Sequence, residues 1–312
     1  MAYLLSEINR RITSDPAEFV AECDARYADN IKRAADAICE NMAKSPLVLL
    51  AGPSGSDKTT SSKRLEDELG RRGVKAHPVA MDNYFRALAP EIAPRAEDGD
   101  LDLESPMYLD MDLLNAHFDA LERGEEILIP SFDFTHQRRA EGVVTPMRLN
   151  KDEVAIFEGI HALGDAVDGR HPDAFGLYIS PATNVEDENG EEIYTGTWMR
   201  LARRSVRDML FRGSPVSFTL NQWNTVLDGE VKYITPNIGK ADFTIDTSFG
   251  YEVSLMKPFI APEYAKIGPD NERYDEVKHI LSVLERFEVL DEKYVAPDSI
   301  LREFIGGGKY KY

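Results

Sequence analysis

The residues with the most evident chemistry are Gly52-Pro-Ser-Gly-Ser-Asp-Lys58-Thr59. They follow a short apolar run, Leu47-Val48-Leu49-Leu50-Ala51, and precede a helical pattern over 58–72. The spacing matches G-x-x-x-x-G-K-[ST] at every position but one. Such a loop wraps backbone N–H groups around an anion, and the helix behind it presents its positive end. Lys58 reaches terminal phosphates in this pattern, and the Thr59 hydroxyl ligates Mg²⁺. Gly52, Ser54, Gly55, Ser56, Asp57, Lys58, Thr59 and Thr60 are therefore the candidate nucleotide-binding residues. The plainer alternative is a glycine-rich turn leading into a helix.

The exception is Asp57, where the pattern has glycine. Glycine there permits any φ/ψ and a close approach of backbone to phosphate. An aspartate adds a negative charge where a phosphate should sit. Two unit charges about 4 Å apart interact by roughly 4 kcal/mol at an effective dielectric near 20. Asp also tolerates left-handed geometry and can cap a helix. The sequence thus predicts a loop that folds and binds nucleotide weakly.

Four further motifs follow in order: Met81-Asp82-Asn83-Tyr84-Phe85, Ile129-Pro-Ser-Phe132-Asp133-Phe134-Thr-His136 with Arg138 and Arg139 behind it, Val154-Ala-Ile-Phe-Glu158-Gly159-Ile-His161, and Arg200-Leu-Ala-Arg203-Arg204-Ser-Val-Arg207. Asp82 falls at the end of an apolar run, where ligands bind in open α/β sheets, although a lone Asp there also caps turns. Glu158 ends another run, and a carboxylate there can hold Mg²⁺ or act as a hinge acid. Phe132 and Phe134 share parity and face one side of a strand, as core residues also do. Arg200, Arg203, Arg204 and Arg207 fall on one helical stripe. In so acidic a chain, four unpaired positives on one stripe suggest an anion, though such runs are usually solvated faces.

Together these motifs resemble the uridine kinase and phosphoribulokinase family of P-loop kinases, over about residues 15–307. Glu230-Val-Lys232-Tyr233-Ile234-Thr-Pro236 and Ser299-Ile-Leu-Arg302-Glu-Phe-Ile-Gly306-Gly307 add a similarity to the longer bacterial uridine kinase-like proteins. The resemblance implies an α/β, three-layer P-loop NTPase fold with a mostly parallel sheet, a helical lid and extra terminal helices. It implies ATP and Mg²⁺ as cofactors, with Thr59 and Glu158 at the metal. Asp82, Lys58, Arg204 and Arg207 become the catalytic candidates, with Arg200 and Arg203 on the nucleotide. Asp82 is the expected base for the acceptor hydroxyl. Asp82, Tyr84, Phe132, Phe134, His136 and Arg139 become the acceptor candidates. The implied reaction is ATP-dependent phosphoryl transfer to the 5′-hydroxyl of a uridine- or cytidine-like nucleoside.

Two alternatives stand beside it. In members acting on pyrimidine nucleosides, two residues separate the motif Phe from a base-contacting His; here only Thr135 intervenes. On a strand that one-residue slip reverses the side chain, which favours another small hydroxylated acceptor. Asp57 favours a catalytically impaired nucleotide-binding or regulatory protein.

The elements that must position these groups are legible in outline. Apolar runs at 47–51, 74–81, 126–132, 153–158, 174–179 and 241–246 alternate with helical patterns, which predicts a mostly parallel sheet covered on both faces. Asp15-Pro16-Ala17-Glu18 is a helix start with a capping side chain, and the periodicity continues over 15–44. Segments 86–107 and 183–197 read as loops, the second a solvated acidic turn. The expected organisation is an N-terminal helical extension over 1–44, a kinase domain over 45–260, and a C-terminal helical extension over 261–312 packed on the same domain.

Composition bounds the partners. The chain has 312 residues and 36 Lys+Arg against 55 Asp+Glu, a net charge of −19. That balance disfavours nucleic acid and anionic membranes. Cys23 and Cys39 share one helical pattern about 24 Å apart, beyond disulfide reach. With no apolar stretch at the N-terminus and no run of about 18 apolar residues, a cytoplasmic protein is expected. Its partner is a nucleoside or similar small hydroxylated substrate, and homo-oligomerisation is compatible with the sequence.

Overall fold

A computed structural model describes residues 2–89, 91–95, 99, 101–133 and 136–310. In chain order the elements are β1 (Tyr3–Leu4), α1 (Leu5–Ser14), α2 (Pro16–Asn41), β2 (Leu47–Ala51), α3 (Lys58–Arg71), β3 (Lys75–Ala80), α4 (Met111–Glu122), β4 (Ile127–Asp133), β5 (Arg138–Met147), β6 (Glu153–Glu158), α5 (Asp165–Asp168), β7 (Phe175–Ser180), β8 (Val185–Glu186) and β9 (Glu192–Tyr194). Then come α6 (Gly196–Phe211), α7 (Val216–Gly229), β10 (Phe243–Asp246), α8 (Glu252–Tyr264), α9 (Tyr274–Glu285) and α10 (Arg302–Ile305).

Five strands form an all-parallel sheet in the order β10-β7-β2-β6-β3. The central strand β2 explains why its run is continuously apolar. Val48 and Leu50 enter one core cluster, while Leu47, Leu49 and Ala51 enter the other, on the opposite face. Helices α2 and α3 pack on the first face, with the Tyr27 and Ser61 hydroxyls 2.9 Å apart. Helix α4 packs on the second, where Phe118 meets Phe157 at 4.5 Å between ring centres.

Several expectations need correction. The run at 126–132 is not a strand of the central sheet. It forms an antiparallel hairpin, β4 with β5, because a strand whose partner is the next segment needs no crossover. Helix α2 starts at Pro16 as expected and ends at Asn41, but Asp15 makes no capping bond; its carboxylate is drawn to Arg11 at 2.9 Å. A separate helix, α1, precedes it. The acidic segment 183–197 is not merely a solvated turn: β8 pairs with β1 and β9, and buried Asp187 accepts N–H bonds from Asn189 and Glu191. Both chain ends contribute to the core, from Ile8 of α1 to Phe304 of α10. No described helix is long and apolar enough to cross a membrane.

Candidate active site

Strand register brings the chemistry together. Leu50 of β2 and Ala80 of β3 both lie opposite Glu158, the last residue of β6. The loop after β2, Glu158 and the Asp82 turn after β3 therefore emerge side by side at the carboxyl ends of adjacent parallel strands, where α/β sheets bind ligands.

The loop is held tightly. A Cβ on Gly52 would sit 2.4 Å from the Ile179 carbonyl oxygen, and one on Gly55, at φ +78°, would sit 2.8 Å from the Arg200 carbonyl oxygen. Only glycine fits either place. The Lys58 ammonium donates to the Pro53 carbonyl at 3.2 Å, across the loop it is meant to serve.

Thr59 Oγ1 donates to Glu158 Oε1 at 3.0 Å. Burial, opposed by Lys58 and reinforced by Asp82, raises the Glu158 carboxyl to about 7. A buried carboxylate beside a hydroxyl, both hard oxygen donors and the carboxylate costly to ionise without a cation, fits Mg²⁺. Asp82 is solvent-exposed at the tip beyond β3, yet surrounding protein raises its carboxyl too, with Lys58 and Arg212 opposing.

Asp57 is buried within the protein. It occupies the N-cap position of α3, without a capping side-chain hydrogen bond, in the left-handed region, φ 78°, ψ 40°, a conformation that costs an L-residue about 1–2 kcal/mol and that Asp tolerates better than most. Its residue is 3% exposed, and neither carboxylate oxygen has accessible surface. The carboxylate faces Glu303 of α10. Burial and the Glu303 charge push the Asp57 carboxyl well above the usual range, while its hydrogen bond to Asp57 helps hold Glu303 below it. One proton between two carboxyls explains both directions.

The arginine stripe lies against the loop but is not unpaired. Arg203 is fully buried and bonds Glu252 twice, at 2.6 and 2.7 Å, as well as the Gly55 carbonyl at 3.1 Å and the Thr247 carbonyl at 2.6 Å. Arg200 is buried and meets Glu230 at 2.5 Å. Each is paired because a buried guanidinium needs a counter-charge, and Arg203 braces the loop from behind. Arg204 donates to Ser54 Oγ at 3.0 Å, and Arg207 pairs with Asp208 at 3.1 Å. Helix α6, read as a lid, buries its Met199, Leu201, Ala202 and Val206 in the core.

The acceptor candidates divide. Tyr84 has no exposed surface and its hydroxyl bonds His117 at 2.9 Å, so it supports the Asp82 turn from inside. Arg139 clamps the hairpin to that turn: it reaches the Phe85 carbonyl at 3.2 Å and Asp110 at 2.9 Å. Phe132 is half-buried with its ring 5.7 Å from that of Phe85. Phe134 lies outside the described residues. His136 is exposed at the turn after β4, with Nδ1 2.7 Å from Asp133. It is not on a strand, so the parity argument drawn from its one-residue displacement does not apply.

A family model described as "Phosphoribulokinase / Uridine kinase family" matches residues 47–253, about two thirds of the chain. The chain belongs to the phosphoribulokinase/uridine kinase family. Among its relatives, the uridine kinase of Halobacterium salinarum is 29% identical over 221 residues, 70% of this chain and 88% of that one. The uridine kinase of Saccharomyces cerevisiae is 26% identical over 202 residues, 64% of this chain but only 36% of that longer one. A solved structure titled as a possible uridine kinase from Bacillus stearothermophilus is 18% identical, at a TM-score of 0.46, over 70% of this chain and 98% of that one.

Beyond these family motifs, the structure adds residues that sequence reading passed over. Glu104, in the segment 86–107, lies near Arg204 and Lys58 and close to Asp82; its carboxyl is raised by burial. Asp102 is buried and accepts from the Tyr233 hydroxyl at 2.6 Å and Lys232 at 3.2 Å. His161 is buried against the Tyr233 ring, and burial lowers it to about 4, so it is neutral. The only available signal was the acidic density of 97–104, which a solvated loop shares.

Proposed function

We propose that this P-loop family member transfers the γ-phosphoryl group of ATP to the primary hydroxyl of a nucleoside of the uridine or cytidine kind. The observation that carries this reading is the register that sets Lys58, Thr59, Glu158 and Asp82 at three adjacent strand ends. Thr59 and Glu158 would hold Mg²⁺, which when bound neutralises charge on the phosphate oxygens. Lys58 and Arg204, the latter steadied on Ser54, would oppose the remaining negative charge. Asp82 would accept the hydroxyl proton of the acceptor, its raised pKa keeping it basic enough to do so near neutral pH. Arg200 and Arg203 are positioning residues in this scheme, holding the loop rather than touching the nucleotide.

The test is a coupled ADP-release screen with Mg·ATP over nucleosides and small sugars. Acceptor-dependent ADP release with uridine or cytidine is expected. No release with any acceptor would overturn the kinase reading.

A second reading keeps the reaction and changes the acceptor to another small, uncharged, hydroxylated molecule. It is favoured by the three acids that lie near one another, Asp82, Glu104 and Asp102, and by His136 being engaged with Asp133. Turnover of sugars or polyols in preference to nucleosides would select it.

A further inference from the structure

The segment 295–310 lies beyond the part of the chain that the family model matches, residues 47–253, yet it runs along α3, the helix that begins at the phosphate loop. Its attachments are spread over that helix. Asp298 pairs with Arg64 at 2.6 Å, the Thr60 hydroxyl donates to Glu303 at 2.6 Å, and Lys309 and Tyr310 both reach Asp67 at 2.8 Å. Phe304 is fully buried beneath the Arg203 guanidinium, 5.4 Å from the ring centre, and Arg203 in turn holds the Gly55 carbonyl. Two routes thus lead from one short helix to the loop: Phe304 through Arg203 to Gly55, and Glu303 to Asp57 and Thr60.

The second route accounts for the residue that breaks the loop pattern. A left-handed aspartate with both oxygens buried is costly unless something opposes that cost. Glu303 is what it faces, and the Thr60 hydroxyl ties Glu303 to the first turn of α3. We infer that the C-terminal segment is a working part of the nucleotide site, with Glu303 as a positioning residue that holds the phosphate loop through Asp57 and Thr60. Asp57 in place of glycine is the loop's half of that contact, not a defect in the loop. This rests on the reading of the loop as an ATP site.

The experiment compares the full chain with Glu303→Ala, Glu303→Gln, Asp57→Gly and the Asp57→Gly/Glu303→Ala double variant. ATP affinity is read by titration with a fluorescent ATP analogue, and KM for ATP and for acceptor by ADP release. Glu303→Ala is expected to weaken ATP about tenfold with the acceptor KM unchanged. Glu303→Gln keeps an acceptor for Thr60 and gives Asp57 a donor, so it stays within about threefold of the parent. The double variant recovers most of the loss, because no buried carboxyl remains to be held. Equal losses for Glu303→Ala with and without Asp57→Gly, or an unchanged ATP affinity in Glu303→Ala, would overturn the inference. Should Glu303→Ala fail to fold, Thr60→Val severs the same link and is judged by the same non-additivity with Asp57→Gly. If the parent chain binds no ATP, the reading of the loop itself has failed; if it binds and the effects add, this inference alone has.

Discussion

The two halves of the candidate site are built differently. On the phosphate side nearly every group is anchored inward: Thr59 on Glu158, Arg203 on Glu252 and the Gly55 carbonyl, Arg204 on Ser54, Asp57 against Glu303. On the acceptor side the groups stand on an exposed hairpin and the 86–107 segment, with Arg139 as the main clamp and His136 at a solvent-facing turn. Preorganised charge stabilisation needs a stiff frame, whereas acceptor choice is tuned on loops that can vary without unmaking the fold. On the proposed reading, the chemistry is accordingly written in the core and the acceptor choice at the edge.

That contrast can be broken at either end. The largest effect is expected at Lys58: Lys58→Ala should lower kcat by roughly 10²–10³-fold, as loss of one charge-stabilising group does, with the fold intact by circular dichroism. Arg203→Ala should act on stability. Leaving Glu252 buried and unpaired costs about 3–5 kcal/mol, read as a large drop in unfolding midpoint, while Arg207→Ala, whose partner Asp208 keeps its ion pairs with Arg204 and Arg212, should shift it little.

Glu158 gives a pH signature. Its folded carboxyl is raised from the ordinary glutamate value of 4.5 to about 7, so the folded state binds the proton more tightly than the unfolded chain. Its contribution is present below pH 4.5 and is lost as pH rises through 7, by about 3 kcal/mol at most. In metal-free buffer the parent should lose stability over that range more steeply than Glu158→Gln; parallel curves would contradict the burial argument. Smaller effects belong to the acceptor end. Arg139→Ala should raise the acceptor KM about tenfold, roughly 1.4 kcal/mol, and leave the ATP KM alone. His136→Ala should change stability by less than about 0.5 kcal/mol, as exposed substitutions do, while its acceptor KM shows whether the side chain meets substrate.

Much of this was legible in the sequence because it is local. The buried strand before Gly52, the loop spacing, and the apolar runs ending at Glu158 and near Asp82 carry their own periodicity. What was not legible depends on pairings far apart along the chain. Arg203 finds Glu252 49 residues on, and Thr60 finds Glu303 243 residues on, so four arginines read as unpaired and Asp57 read as a charge in the phosphate's place. The run at 126–132 looks the same whether it joins a parallel sheet or a hairpin, because alternation specifies a strand and not its partner.

The most direct measurement is acceptor-dependent ADP release from Mg·ATP by the parent chain beside Asp82→Asn. The account predicts turnover by the parent, a fall of roughly 10²–10⁴-fold in Asp82→Asn as for loss of a general base, and unchanged ATP binding in both. Equal turnover in the two proteins would contradict it, because Asp82 would then not be the group that takes the acceptor's proton.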